Sequence, residues 1–294
     1  MDYITYLRKF ERYKWFKPIL EAIIAGAVWI LVTILCTVLA MVIVTISGGN
    51  PVQILDTLRQ SYDGMDVYSL PGSIVSLGGV AGLLLGVAIA TKIVKVRPFH
   101  TVASSCGGFN FKIFGKVMVP ALIIVGIPVF IDVLMSVKER GPVEFTILGF
   151  IACIILGPLQ CCGEEFMFRG VILQGIGSWV KIPILAIVLQ TILFAMGHPY
   201  GVYGVIEVLL SGFIMGYMVY YTKGLEASCA AHIVNNMTLF IMNGFGFKTI
   251  STNGGQLKDV ILAVAMNGVY LAVLMVVGKK FNWFERTPKE TDIQ

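Results

Sequence analysis

Charge is what this sequence has least of. Of its 294 residues only 13% are Asp, Glu, Lys or Arg, where a soluble domain carries about 25%. With 57% hydrophobic residues and a mean hydropathy of +0.85, there is too little polar surface to cover a core in water. An ordinary soluble fold is excluded. The net charge of +5, from 22 Lys and Arg against 17 Asp and Glu, gives no argument for a nucleic-acid partner. Six cysteines, at 36, 106, 153, 161, 162 and 229, fall mostly inside apolar runs and form no C-x-x-C pairing with histidine. That excludes a disulfide framework or a zinc knuckle, and the thiols read as small apolar core residues. No apolar run alternates at period two for long, so a membrane barrel is excluded as well. There is no internal repeat. The small-residue run Gly78, Gly79, Gly82 and Gly86 reads as close helix packing.

Long apolar runs are what the sequence has instead. Taking about 20 residues as one helical crossing, eight candidates emerge, roughly 22–46, 70–94, 115–136, 143–162, 182–197, 202–222, 227–246 and 257–278. Backbone groups in lipid must be bonded within their own element, so the expected fold is all-α, a polytopic membrane protein of eight transmembrane helices. The expected organisation is one membrane domain over 1–294 with no separate soluble domain. Of the 22 Lys and Arg, sixteen fall at the termini or the even-numbered boundaries. Five, Arg59, Lys138, Arg140, Lys248 and Lys258, fall on the other side, and Arg169 lies in an apolar context. Short cytoplasmic loops collect positive residues, so both termini are expected in the cytoplasm. The first run follows a charged, aromatic segment and lacks an A-x-A-like exit, so it is expected to be a retained span.

Against that background a few polar residues stand out, because an ionisable group inside a span is costly and usually faces the bundle interior or a cavity. Glu164, Glu165 and Arg169 follow the fourth run, Phe194 and His198 close the fifth, and His232 and Asn236 lie in the seventh. Glu165 and Arg169, four apart, can pair on one helical face, which leaves Glu164 about 100° round the helix to point elsewhere. Phe194 and His198 share the same spacing, as do His232 and Asn236. Any one of these groups can be a structural peg holding helices together. All three groups within one stretch point to an intramembrane polar site. Glu207 is a lone acid in the sixth run and reads as structural; Cys161 and Cys162 lack a basic partner that would make either a nucleophile.

Glu164-Glu165-x-x-x-Arg169, then Phe194-x-x-x-His198, then His232-x-x-x-Asn236 resembles the CPBP family (CAAX prenyl protease and bacteriocin-processing, or Abi), a group of intramembrane endopeptidases. The resemblance covers roughly 143–247, the expected catalytic core; the first three runs match only in being apolar. It implies glutamate-dependent hydrolysis of a peptide bond in a membrane-associated peptide or protein. By position, Glu164 would be the base that deprotonates a water and His198 would help to hold that water. His232 and Asn236 would stabilise the oxyanion, with Glu165, Arg169 and Phe194 in support. The family is often labelled metalloprotease, and the resemblance leaves zinc open; if a metal is present, Glu164, His198 and His232 are its expected ligands. The expected partners are the lipid bilayer and a peptide or membrane-protein substrate, with a bacterial cell membrane as the setting.

The span assignment sets a condition on this reading. Glu164 would sit towards one face and His198 near the other, unless the fourth helix continues past Gly170 and the His198-Pro199-Tyr200-Gly201 turn dips into the bilayer. That turn is therefore expected to be buried. Two other functions compete: an inactive family member serving as a membrane scaffold or bacteriocin-immunity protein, and a small proton-coupled transporter. The intact polar set argues against the first, and the missing repeat argues against the second.

Overall fold

The computed structural model describes residues 2–59, 66–137, 139–198, 200–247 and 255–286. Among them there is no strand, and a single antiparallel bridge joins Ser104 to Gly224. Eight long helices, labelled here α1 to α8, coincide with the eight apolar runs: Lys17–Ile46, Leu70–Val94, Phe111–Ser136, Ile147–Val180, Pro183–Met196, Val202–Thr222, Glu226–Gly244 and Leu257–Gly278.

By length and composition alone, not all eight helices qualify as spans. Six of them, α1 to α4, α6 and α8, are long and apolar enough to cross a membrane. Helix α5 has only 14 residues, or about 21 Å at 1.5 Å per residue, short of a hydrocarbon core of about 30 Å. Helix α7 has 19 residues but spends them on Glu226, His232, Asn235, Asn236 and Asn243, which dilute its apolar character. These six apolar helices make the chain an integral membrane protein. The fourth helix also departs from expectation, running 34 residues to Val180 where the apolar run ended near 162.

Local signals account for the boundaries. Ser69, Asn110 and Thr146 cap α2, α3 and α4 by accepting hydrogen bonds from the first-turn amides of Gly72, Lys112 with Ile113, and Gly149. Gln256 and Asp259 form a reciprocal capping box at the start of α8. Helices α2, α4 and α6 end at Lys95, Lys181 and Lys223, each left-handed at φ 52°, 60° and 58°. A lysine there places positive charge beside the negative end of the helix dipole.

All three lysines lie at one end of the bundle, with both ends of the described chain. Tyr3 donates to the carbonyl of Val102, and Arg286 donates to Ser104 and Gly108. The opposite end is tied by Gly141 to Gly246 and by Thr146 to Tyr68. Successive long helices therefore alternate in direction, and the described positive residues sort to the two ends as expected; Lys138, Lys248 and Lys289 lie outside the described residues.

The small-residue run behaves as packing. A Cβ on Gly82 would stand 2.7 Å from Val32 Cγ1, and one on Gly86 would stand 2.4 Å from the Ala25 carbonyl oxygen. Helices α1 and α2 are in backbone contact there, while Leu31, Leu35 and Leu39 on the outer side of α1 remain exposed, as a lipid-facing surface requires. Of the cysteines, Cys153, Cys161 and Cys229 are buried, Cys36, Cys106 and Cys162 half-buried, and all six are free thiols.

Candidate active site

Glu164 is the eighteenth of the 34 residues of α4, close to its midpoint. The next eight, Glu165–Ile172, form a π-helical segment. Segments of this kind widen the helical turn and recur at functional sites. A wider turn brings adjacent side chains closer in direction than the 100° of an α-helix, and Glu164 and Glu165 both reach the same histidine. His232 on α7 places Nδ1 2.9 Å from Glu165 Oε1 and Nε2 3.4 Å from Glu164 Oε2. The sequence spacing had separated the two glutamates; the π segment and α7 together reunite them.

Glu165 Oε1 also accepts from Arg169 Nη1 at 3.1 Å, with both side chains fully buried. The expected pair is present, and its anion is shared with His232. The Arg169 guanidinium lies 4.1 Å over the Phe194 ring, a cation–π contact across to α5. Phe194 is in turn braced edge-on by Phe168 at 5.0 Å, and its ring lies 4.5 Å from that of His198. A continuous series of contacts thus runs from Glu164 through His232, Glu165, Arg169 and Phe194 to His198, joining all three motifs.

His198 Nδ1 lies 2.9 Å from the Phe194 carbonyl oxygen. A carbonyl only accepts, so Nδ1 carries the proton, and in the neutral ring Nε2 is left as an acceptor. Burial lowers the His198 pKa from its ordinary value, and the nearby Glu164 carboxylate opposes that shift. On α7, Asn235 Nδ2 donates to Asn236 Oδ1 at 3.1 Å, which leaves the Asn236 amide nitrogen as a donor.

Glu164, His198, His232 and Asn236 all line one cavity of about 1400 Å³ that reaches the end of the bundle away from the termini. Phe194 is at its wall, whereas Glu165 and Arg169 stand behind it in the packed interior. Helix α4 does continue past Gly170, so the first condition on this convergence is met. The expectation that the turn is buried needs correction: Gly197 is exposed and His198, Tyr200 and Gly201 are half-buried, so the turn borders the cavity and is not enclosed by the protein; Pro199 lies outside the described residues.

The zinc expectation finds no ligand set. Among the described residues no group of three or more His, Cys, Asp and Glu is arranged to hold a metal. Glu164, His198 and His232 are not grouped closely enough to supply the three protein ligands a catalytic zinc takes, and the His232 ring is already directed at two carboxylates.

Sequence reasoning missed several cavity residues. Gln160 is buried one turn before Glu164 and on the same face, Asn235 precedes Asn236, and Tyr200 follows His198 with its ring 5.7 Å away. The spacing of four between Gln160 and Glu164 was the available signal. Arg97, one of the sixteen positive residues at the termini and even-numbered boundaries, is buried with Glu21 at 2.9 Å, a pairing that two distant sequence positions do not reveal.

Comparison with known proteins agrees with the motif resemblance. Residues 144–238, which hold all three motifs, match the family model described as type II CAAX prenyl endopeptidase Rce1-like. The chain is also similar to "Uncharacterized protein YyaK" of Bacillus subtilis (strain 168), 27% identical over 214 residues, covering 66% of this chain and 72% of that protein. No solved structure matches.

Proposed function

We propose, from the Rce1-like segment at 144–238, that this integral membrane protein is a CAAX-type intramembrane endopeptidase with Glu164 as its base. The observation that carries the reading is the convergence of Glu164, His198, His232 and Asn236, from three helices or their ends, on one cavity. A water held between the Glu164 carboxylate and His198 Nε2 loses a proton to Glu164 as its oxygen attacks the scissile carbonyl. The developing oxyanion takes a hydrogen bond from the Asn236 amide. His232 reaches it from Nε2 once that atom carries a proton, which Glu164 at 3.4 Å can pass across. The proton leaves with the amine as the C–N bond breaks, and two termini replace one peptide bond.

Glu165 and Arg169 serve this arrangement from behind. Glu165 accepts from His232 Nδ1, which fixes the ring's tautomer and direction, as a carboxylate does for a catalytic histidine. Fixed donors cost little reorganisation as charge develops, and removing one oxyanion donor of this kind lowers turnover by about 10²–10³. The substrate is a peptide or protein segment in the bilayer, and both termini of the enzyme face the cytoplasm.

The test is cleavage of a panel of membrane-associated peptides by the purified chain in detergent. The parent is expected to cleave at least one, and Glu164→Ala, His198→Ala and His232→Ala to cleave none measurably. Equal cleavage by the variants would refute the assignment. Activity is expected to survive a strong chelator; loss on chelation with recovery on adding zinc would restore the metal reading.

A further inference from the structure

The charge along the cavity wall is strongly unbalanced. Asp66, Asp132, Glu144, Glu164, Glu207 and Asp259 line it, against Lys258 as the one lining Lys or Arg among the described residues. Most of these acids already have a task. Asp66 caps the Tyr68 and Ser69 amides, Glu164 faces His232, and Lys258 sits 3.7 Å from Asp132 and 3.9 Å from Asp259. Glu207 is different. It is half-buried on α6, it faces the cavity, and its carboxylate has no hydrogen-bond or ion-pair partner among the described residues.

Its position relative to the candidate chemistry is fixed by packing. Gly212 lies five residues along α6, and a Cβ there would stand 3.5 Å from Arg169 Nη2 and 3.7 Å from the Phe194 ring. Five residues rise about 7.5 Å along a helix, so Glu207 lies about one and a half turns from the level of Arg169 and Phe194, towards the end of the bundle away from the termini. Gly204, Glu207, Ser211, Gly212 and Met215 all line the cavity.

The geometry points to Glu207 as the specificity determinant of this cavity: it binds a cationic side chain, Lys or Arg, of the substrate. This rests on reading the cavity as the peptide-binding site. A carboxylate held in an apolar helix without a partner is a costly arrangement, and a substrate cation entering from the end away from the termini offsets it. The same acid excess repels an acidic segment and disfavours capture of a substrate by its C-terminal carboxylate.

The experiment uses the full-length chain in detergent carrying Glu164→Gln, so that binding is read without turnover. Three series of fluorescein-labelled apolar peptides, otherwise identical, carry Lys, norleucine or Glu at one position that is scanned along the peptide; they are titrated by anisotropy and compared at the position where the Lys series binds best. The Lys peptide is expected to bind at least about tenfold more tightly than the Glu peptide, the scale of one ion pair in a low-dielectric site. Adding Glu207→Gln should reduce that ratio below about twofold, and Glu207→Asp should keep most of it. If Glu207→Gln does not fold, carbodiimide coupling of the bound Lys peptide to the Glu207 parent, mapped by mass spectrometry, is expected to join the lysine to Glu207. Equal binding of the Lys and Glu peptides, a preference that persists in Glu207→Gln, or coupling to another carboxylate would overturn the inference. A charge preference in a chain whose unsubstituted form cleaves none of the peptides would sink the protease reading and leave this one standing.

Discussion

Glu165 accepts from both Arg169 and His232 in a fully buried position, so two groups on two helices depend on one anion. Removing one partner of a buried ion pair strands the other and costs roughly 3–5 kcal/mol. Arg169→Met is expected to lower thermal stability in detergent by that amount, and Glu165→Gln with Arg169→Met to recover much of it; a double variant no more stable than the single would contradict this. Glu164 is expected to behave otherwise. It faces the cavity, so Glu164→Gln should leave the melting temperature within a degree or two while cutting turnover by about 10²–10⁴, the usual worth of a general base. His198 supplies a pH signature. Burial disfavours its imidazolium, so the ring should titrate below the ordinary value of about 6.5, read from its carbon shifts by NMR. Because the folded-state pKa is depressed, the His198 contribution to stability is complete above about pH 6.5 and is lost as pH falls from there through the folded value. The identity of these residues was legible, since polar groups in so apolar a chain call attention to themselves. Their partners were not: spacing of four predicted Glu165 with Arg169, but the third member of that cluster comes from 67 residues away.

The elements were legible where their apolar runs were long. All eight runs are helices, because lipid or core leaves a backbone no other way to bond itself. The second half of α4 was legible only in part, since the spacing of Glu165 and Arg169 is helical but the apolar run ends near 162. It is helical because α2, α5 and the N-terminal segment pack around it, with Ile4 seated on Gly177 and Val102 on Gly170. Glycine substitutions separate contact from propensity. Gly86→Ala would drive a methyl into the Ala25 carbonyl and is expected to destabilise by about 1–3 kcal/mol. Gly115→Ala on α3 meets nothing within 4 Å and should stabilise by roughly 0.5–1 kcal/mol, as glycine replacement in a helix does. Paired melting curves check both.

On the scale of the whole molecule, the two ends of the bundle carry different chemistry. One gathers Lys95, Lys181 and Lys223 with both ends of the described chain; the other gathers the acids at the cavity's far reach. A reporter fused at the C-terminus is expected to show cytoplasmic activity, and one inserted at Gly141 to show activity on the opposite side; the reverse pattern would invert the proposed orientation. The membrane setting, the helical class and the unusual polar residues were determined by the sequence alone, because each follows from composition and local periodicity, and lipid tolerates few alternatives. Which polar groups meet was decided only by tertiary structure. Glu164, His198 and His232 come together through the length of α4, the shortness of α5 and the π segment at Glu165–Ile172. Those are properties of how helices pack against one another, and no single stretch of sequence contains them.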